Sequence, residues 1–230
     1  MEDKSQIGQL FDRIAGTYDR FNHILSLNID KSWRRRTIRK MRPADSLLDV
    51  AIGTGDLAIR AVRDGKAAQV KGLDLSAEMM RIGAEKAEKA GLEEKIEFLQ
   101  GSALQMPFDD STFDAVSCAF GVRNFSDLDK GLLEMFRVLK PGGQLLILEF
   151  SYPENRIMRA AYDFFFTRIM PVVGKKISHD AGAYIYFKES VKGFIWGEEM
   201  LVRIREAGFE NASFKTLTFG IATLYTADKK

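Results

Sequence analysis

Leu47-Leu48-Asp49-Val50-Ala51-Ile52-Gly53-Thr54-Gly55-Asp56-Leu57-Ala58 decides how the rest of the chain is read. An apolar run that ends in glycines and passes at once into a helical pattern predicts a buried strand, a tight turn and a helix N-terminus. Gly53 and Gly55 lack Cβ, so the main chain can take φ > 0 and let a ligand approach it, while unpaired N–H groups of the next helix point outward. Gly53-x-Gly55-x-x-Ala58 also fits the dinucleotide fingerprint. Asp49 stands in the strand before the glycines. A second apolar run, Val70-Lys71-Gly72-Leu73-Asp74, ends in an acid about 20 residues after the loop, the spacing at which a carboxylate meets ribose hydroxyls.

Acids at Asp49 and Asp56 beside the loop suit a cationic ligand better than a pyrophosphate. S-adenosylmethionine, with its sulfonium and ammonium, is such a ligand. Further motifs follow in order: Gly72-Leu73-Asp74-Leu75-Ser76-x-x-Met79, Met106-Pro107-Phe108-x-x-x-Thr112-Phe113-Asp114, Phe120-Gly121-x-Arg123-Asn124, and Leu139-Lys140-Pro141-Gly142-Gly143 through Leu148-Glu149-Phe150-Ser151. With them the chain resembles the class I methyltransferases, and more narrowly the quinone-biosynthesis C-methyltransferases that act on demethylmenaquinone and on the methoxy-benzoquinol precursor of ubiquinone. The resemblance runs from about Phe11 to Tyr225.

Composition agrees with one globular domain over residues 1–230: 46% of residues are apolar, 29% are charged and the net charge is +2. That charge gives no argument for nucleic acid. Cys118 is the only cysteine, so no intramolecular disulfide forms, and its apolar surroundings predict an inert core thiol. Met1-Glu2-Asp3-Lys4-Ser5-Gln6 has no apolar signal region and no stretch is apolar for the ~20 residues of a transmembrane helix, so a cytoplasmic protein is expected. The resemblance leaves open a homodimer and a peripheral contact with the inner face of the membrane.

Residues 7–42 read as helices, with Phe11, Ile14, Tyr18, Phe21 and Leu25 forming an amphipathic stripe. The resemblance implies that this segment caps the cofactor, with Tyr18 pointing inward. Lys31, Arg34, Arg35, Arg36, Arg39, Lys40 and Arg42 form the one strong charge cluster, read as a solvated helix face or as a surface for anionic lipid. Between residues 46 and 150 strands near 46–51, 69–74, 95–100, 113–119 and 143–150 alternate with helices near 56–64, 76–90 and 126–139. Such alternation predicts a parallel sheet covered on both faces, with ligands at the carboxyl ends of the strands. Residues 151–195 break the alternation as a helical insertion rich in aromatics, read as core or as an apolar wall for an isoprenoid tail. A helix near 197–207 and two strands joined through Gly220 predict an antiparallel hairpin at the sheet edge. The class I methyltransferase resemblance implies a Rossmann-like, mostly parallel sheet of seven strands.

It also implies the site. Asp49, Gly53, Thr54, Gly55, Asp74, Ser102 and Ala103 are expected at the cofactor, the last two beside the adenine. No metal is expected. Arg123 and Asn124 are expected to stabilise an ionised ring hydroxyl of an isoprenoid quinol, and Tyr184 is expected beside them. A phenol with pKa near ~10 needs such help to ionise at neutral pH. Arg123 cannot itself be the base, and Tyr18, Tyr184 and His179 are candidates for the proton acceptor. The acceptor expected first is 2-demethylmenaquinol, the alternative being the methoxy-benzoquinol. Two other classes stay open: an NAD-linked oxidoreductase, from the glycine pattern alone, and a non-catalytic methyltransferase-like binding module.

Overall fold

The computed structural model of the chain describes residues 8–9, 11–13, 15–16, 26, 28–170 and 181–230, with the backbone alone for 166, 169 and 181–185. After helical residues between 8 and 16, the elements are α1 (Asp30–Lys40), β1 (Ala44–Val50), α2 (Asp56–Arg63), β2 (Ala67–Asp74), α3 (Ala77–Lys89), β3 (Ile96–Gln100) and β4 (Phe113–Ala119). They continue with α4 (Leu128–Val138), β5 (Leu139–Phe150), α5 (Arg156–Phe164), α6 (Ala181–Gly193), α7 (Glu198–Glu206), β6 (Glu210–Leu217) and β7 (Ala222–Asp228). Short helical turns at Val122–Asn124 and Thr218–Gly220 link β4 to α4 and β6 to β7.

One seven-stranded sheet runs in the order β3-β2-β1-β4-β5-β7-β6. The first five strands pair in parallel, while β7 is antiparallel to both β5 and β6. The strand and helix positions expected along 46–150 and the C-terminal hairpin are all present. One boundary differs: β5 begins at Leu139 and carries Pro141-Gly142-Gly143 within it, because Phe113 pairs Leu139 but Ala115 pairs Gln144. These three residues form a bulge in the strand.

Central strands buried on both faces read as continuous apolar runs. Leu48, Val50, Val116 and Cys118 pack with Leu132 and Met135 of α4 and Met200 and Ile204 of α7. On the other face Leu47, Val70 and Ala115 meet Ile38 of α1, Ala58 of α2 and Met80 of α3. Leu148 and Phe150, two and four residues beyond Leu146, extend this second layer into a cluster with Trp33, Phe120, Tyr162 and Phe187. Helix starts are capped as short polar side chains allow: Ser76 accepts from the Met79 N–H, Asp127 from Lys130 and Asn155 from Ile157 and Met158. The connections after β1 and β4 leave toward opposite faces of the sheet, so a crevice opens at the carboxyl ends of these two neighbouring strands.

Candidate active site

Both strands that border the crevice end in left-handed residues. Ala51 after β1 has φ 54° and Phe120 after β4 has φ 63°, conformations that cost non-glycine residues energy and persist only where the surroundings fix them. Between them lies a cavity open to solvent, reached by Gly53, Asp74, Leu75, Ser102, Phe120 and Asn124 among others.

At one end, Gly53 has φ 55° and a Cβ built on it would meet nothing within 4 Å, so its bare backbone faces open space. Its N–H donates to Asp74 Oδ2 (2.8 Å), and the Ser76 N–H donates to Oδ1 (2.9 Å). The carboxylate still has lone-pair capacity left for a ligand hydroxyl. Burial raises the Asp74 carboxyl above its ordinary value, and backbone donors from Ser76, Gly53 and Leu75 pull against that rise. The N-terminal segment closes over this end: Gly8 and Phe11 line the cavity, and Asp12 accepts from the Ser76 hydroxyl and from the Glu78 N–H at the start of α3 (3.2 Å). Ser102 and Ala103 also line the cavity, the Ser102 hydroxyl accepting from the Leu104 N–H (3.2 Å).

Three residues expected at the cofactor stand behind this wall. Asp49 is buried beneath the loop, accepting from the Ser117 hydroxyl (2.7 Å) and from the Ala58 N–H at the start of α2. Burial lifts its carboxyl to about 7, opposed by Ser117 and by the charge of Arg34. Thr54 turns toward α3, where Lys86 reaches its hydroxyl (3.1 Å) and pairs with Asp56. Gly55, at φ 76°, starts α2 with its back to Phe98, whose ring would lie 3.3 Å from a Cβ. None of the three reaches the cavity, so they shape the turn from below.

At the opposite end, Asn124 lines the cavity and its Oδ1 accepts from the Tyr186 hydroxyl (2.9 Å). Arg123 does not line it. Its guanidinium, 4% exposed, pairs with Glu149, 1% exposed, at 2.7 Å. The same nitrogen donates to the Phe120 carbonyl, and the Arg123 N–H donates to Glu149 Oε2 (3.3 Å). Phe150 and Phe187 present their rings to the guanidinium at 5.4 and 5.3 Å. The cation expected to face the acceptor is therefore neutralised in the core, where it holds the left-handed Phe120. Tyr18 and His179, and the side chain of Tyr184, lie outside the described residues.

The family model of the ubiE/COQ5 methyltransferase family matches residues 1–229. The chain belongs to that family. It is 47% identical to the demethylmenaquinone methyltransferase of Bacteroides fragilis over 97% of this chain and 92% of that protein. It is 39% identical to the ubiquinone/menaquinone biosynthesis C-methyltransferase UbiE of Geotalea daltonii, over 99% of this chain and 98% of that protein. Among solved structures, the [4+2]-cyclase SpnF superposes with a TM-score of 0.73 at 20% identity, over 97% of this chain and 96% of that one. Phosphoethanolamine N-methyltransferase 2 of Haemonchus contortus, in complex with S-adenosyl-L-methionine, gives 0.63 at 15%, over 87% of this chain and 52% of that one. Such likenesses show the fold alone, and a cyclase among them shows that the fold does not fix the reaction.

Three features of the candidate site were not read from the sequence: the buried acid Glu149, the left-handed backbone of Phe120 and the hydrogen bond of Tyr186. Glu149 sits inside an apolar run, Leu146-Ile147-Leu148-Glu149-Phe150, and a lone acid there signals a buried partner. Phe120 carries no such signal, because nothing in its side chain announces φ > 0. Tyr186 lies in the same Asp-x-x-x-Tyr-x-Tyr pattern as Tyr184, and only the fold distinguishes the two.

Proposed function

We propose that this chain transfers the methyl group of S-adenosylmethionine to a ring carbon of 2-demethylmenaquinol, giving menaquinol. The observation that carries this reading is the name shared by relatives at 47% identity in Bacteroides fragilis and 44% in Porphyromonas gingivalis, demethylmenaquinone methyltransferase. Relatives at 38–39% identity named for both ubiquinone and menaquinone biosynthesis favour the methoxy-benzoquinol as the second reading.

The cavity suits the donor on its own terms. An open cradle before Gly53 and a fixed carboxylate at Asp74 fit a ribose, while Ser102 and Ala103 offer backbone and hydroxyl groups to an adenine. Bound there, the donor supplies an already electrophilic methyl carbon. What remains for the protein is to align the acceptor and raise electron density at its ring carbon. The Tyr186 hydroxyl occupies Asn124 Oδ1, which turns the amide so that its NH2 is left to donate to a ring oxygen. That bond strengthens as the hydroxyl ionises. Arg123 and Glu149 serve as positioning residues, fixing Phe120 and the turn that carries Asn124. Asp74 is the only titratable side chain among the described lining residues, and it belongs to the cofactor end. The ring proton is displaced by the new carbon–carbon bond, and one proton is released per methyl transferred.

Labelled-methyl transfer to the two quinols at matched tail length tests the reading. A higher kcat/KM is expected for the naphthoquinol, and a higher value for the benzoquinol would reverse the order. The oxidised quinone, lacking a hydroxyl to ionise, should accept no methyl without a reductant. Calorimetry should show S-adenosylmethionine binding and no NAD binding.

A further inference from the structure

Helix α5 is amphipathic the wrong way round for a helix that only covers a core. Of its nine residues Tyr162 alone is fully buried, whereas Ile157, Ala160, Ala161 and Phe164 are exposed. Their spacing of three, four and seven places them on one face, opposite Tyr162. Ile157 is 79% and Phe164 60% exposed, and with the two exposed alanines between them they form a continuous apolar stripe. The acid of the same helix, Asp163, turns away to the Tyr152 hydroxyl (2.6 Å) and to Lys192 (3.3 Å).

A third exposed apolar side chain stands on the turn that packs against the segment leading into α5. Phe219, 76% exposed, sits in a left-handed conformation (φ 56°) at the tip of the turn joining β6 to β7. That turn is tied to the segment leading into α5: the Ser151 hydroxyl donates to the Gly220 carbonyl (2.8 Å), and a Cβ on Gly220 would lie 3.6 Å from the Pro153 Cα. It is tied equally to α1, whose Trp33 indole donates to the Thr218 hydroxyl (2.8 Å). On α1 the charge cluster divides. Arg34 turns inward to Asp30 and the Phe120 ring, whereas Lys31, Arg35, Arg36 and Arg39 are exposed and form no ion pair among the described residues. Arg156, at the start of α5, is likewise exposed and without an ion pair among them.

We infer that α5, the Phe219 turn and the outer face of α1 form a docking surface for an anionic lipid bilayer. Apolar side chains projecting among unpaired cations are what a membrane interface rewards: the first enter the acyl boundary and the second meet the headgroups. A second copy of the chain fits less well, since a two-fold contact through this stripe would set Arg156 and its neighbours against identical charges. Among the described residues no helix is long and apolar enough to cross a membrane, so attachment through this face is peripheral. The Phe219 turn meets the segment leading into α5 at Ser151, next to Phe150, whose ring lies 4.4 Å from that of the cavity residue Phe120, which would bring a lipid-soluble acceptor to the site from the bilayer side. The docking surface would serve either quinol alike.

Co-sedimentation of the full chain with vesicles of phosphatidylcholine, alone or mixed with phosphatidylglycerol, tests it. Binding is expected only with the mixed vesicles, and added salt should release it. Ile157→Ser, Phe164→Ser and Phe219→Ser together should lower vesicle binding at least about tenfold, as should Lys31→Gln with Arg35→Gln, Arg36→Gln and Arg39→Gln. Both variants should keep wild-type affinity for S-adenosylmethionine, which checks that they fold. Wild-type protein that ignores anionic vesicles, or folded variants that bind them as the wild type does, would overturn the assignment. So would a concentration-dependent dimer in ultracentrifugation that the serine variant abolishes, since the face would then belong to a second copy.

Discussion

Arg123→Met separates a guanidinium that acts on the acceptor from one that holds the site together. The substitution removes the cation but leaves an unbranched side chain between the Phe150 and Phe187 rings, so the loss reports charge more than volume. Glu149 would keep only backbone donors, Phe150 N–H at 2.8 Å and Arg123 N–H at 3.3 Å, for a carboxylate buried to 1% exposure. Removing one partner of such a buried pair costs about 3–5 kcal/mol. For a chain of 230 residues that corresponds to a fall in Tm of roughly 6–20 °C. Phe120 would also lose the donor on its carbonyl, and its left-handed backbone would relax with the turn that presents Asn124. Turnover should therefore drop together with stability. Adding Glu149→Gln should then recover part of both, because the stranded charge is gone; coupling of about 0.5–3 kcal/mol is expected between contacting groups. Calorimetric melts and single-turnover rates on the two single variants and the double variant make the cycle. A double variant that regains stability yet stays as inactive as Arg123→Met would refute the positioning role and return the guanidinium to the phenolate.

Asp74→Ala should weaken S-adenosylmethionine by about 1.5–3 kcal/mol, the range for hydrogen bonds to a charged group, and Asp74→Asn should do no better, because its NH2 would face a backbone N–H of Gly53 or Ser76. Titration calorimetry reads both, and near-wild-type binding by Asp74→Asn would count against the assignment. Asp49 titrates at about 7 in the folded chain against 3.8 ordinarily, so the native state holds the extra proton between those values and the stability it confers falls as pH rises from about 4 to 7. Asp49→Asn should flatten that slope and gain on the order of 2–4 kcal/mol relative to wild type between pH 4 and pH 8, measured by urea unfolding at each pH. Tyr186→Phe frees Asn124 Oδ1 and lets the amide rotate; kcat should fall by about tenfold with KM for the donor unchanged, and an unchanged kcat would remove Tyr186 from the acceptor end.

The sheet was legible because its signals are local and repeated. An apolar run, a glycine turn and an amphipathic helix recur, and each Ser or Asp cap reinforces its neighbour. The cofactor end was legible for the same reason: Gly53 and Asp74 are adjacent strand ends, and parallel pairing of Asp49 with Gly72 and Val50 with Leu73 brings them together without long-range coincidence. The side a residue faces was less legible. Asp49 and Thr54 share the motif with Gly53, but β1 alternates and the loop turns, so one carboxylate goes under the sheet and one hydroxyl goes to α3. At the acceptor end the deciding contacts span 26 and 62 residues of sequence, Arg123 to Glu149 and Asn124 to Tyr186. No periodicity encodes them.

Charge placement explains why the two ends divide the chemistry as they do. Asp74 at the cofactor end is raised by burial yet held by backbone donors, so it accepts hydroxyls without demanding a cation. Asp49 lies behind it with Arg34 supplying part of the compensating field, and Arg34 in turn answers Asp30 at 2.7 Å and Asp56 at 4.0 Å. A positively charged donor arriving in front of Gly53 thus meets carboxylates whose ionised forms burial has made costly, and its charge offsets that cost. The acceptor end is arranged the opposite way. Arg123 and Glu149 cancel each other, leaving Asn124 as a neutral donor between aromatic walls. A neutral quinol can then enter without shedding a counter-ion, and negative charge is stabilised only once it develops on the ring oxygen. On the proposed function, an acceptor that carries its own anion should be excluded from this cavity, because the Arg123 charge is already cancelled by Glu149.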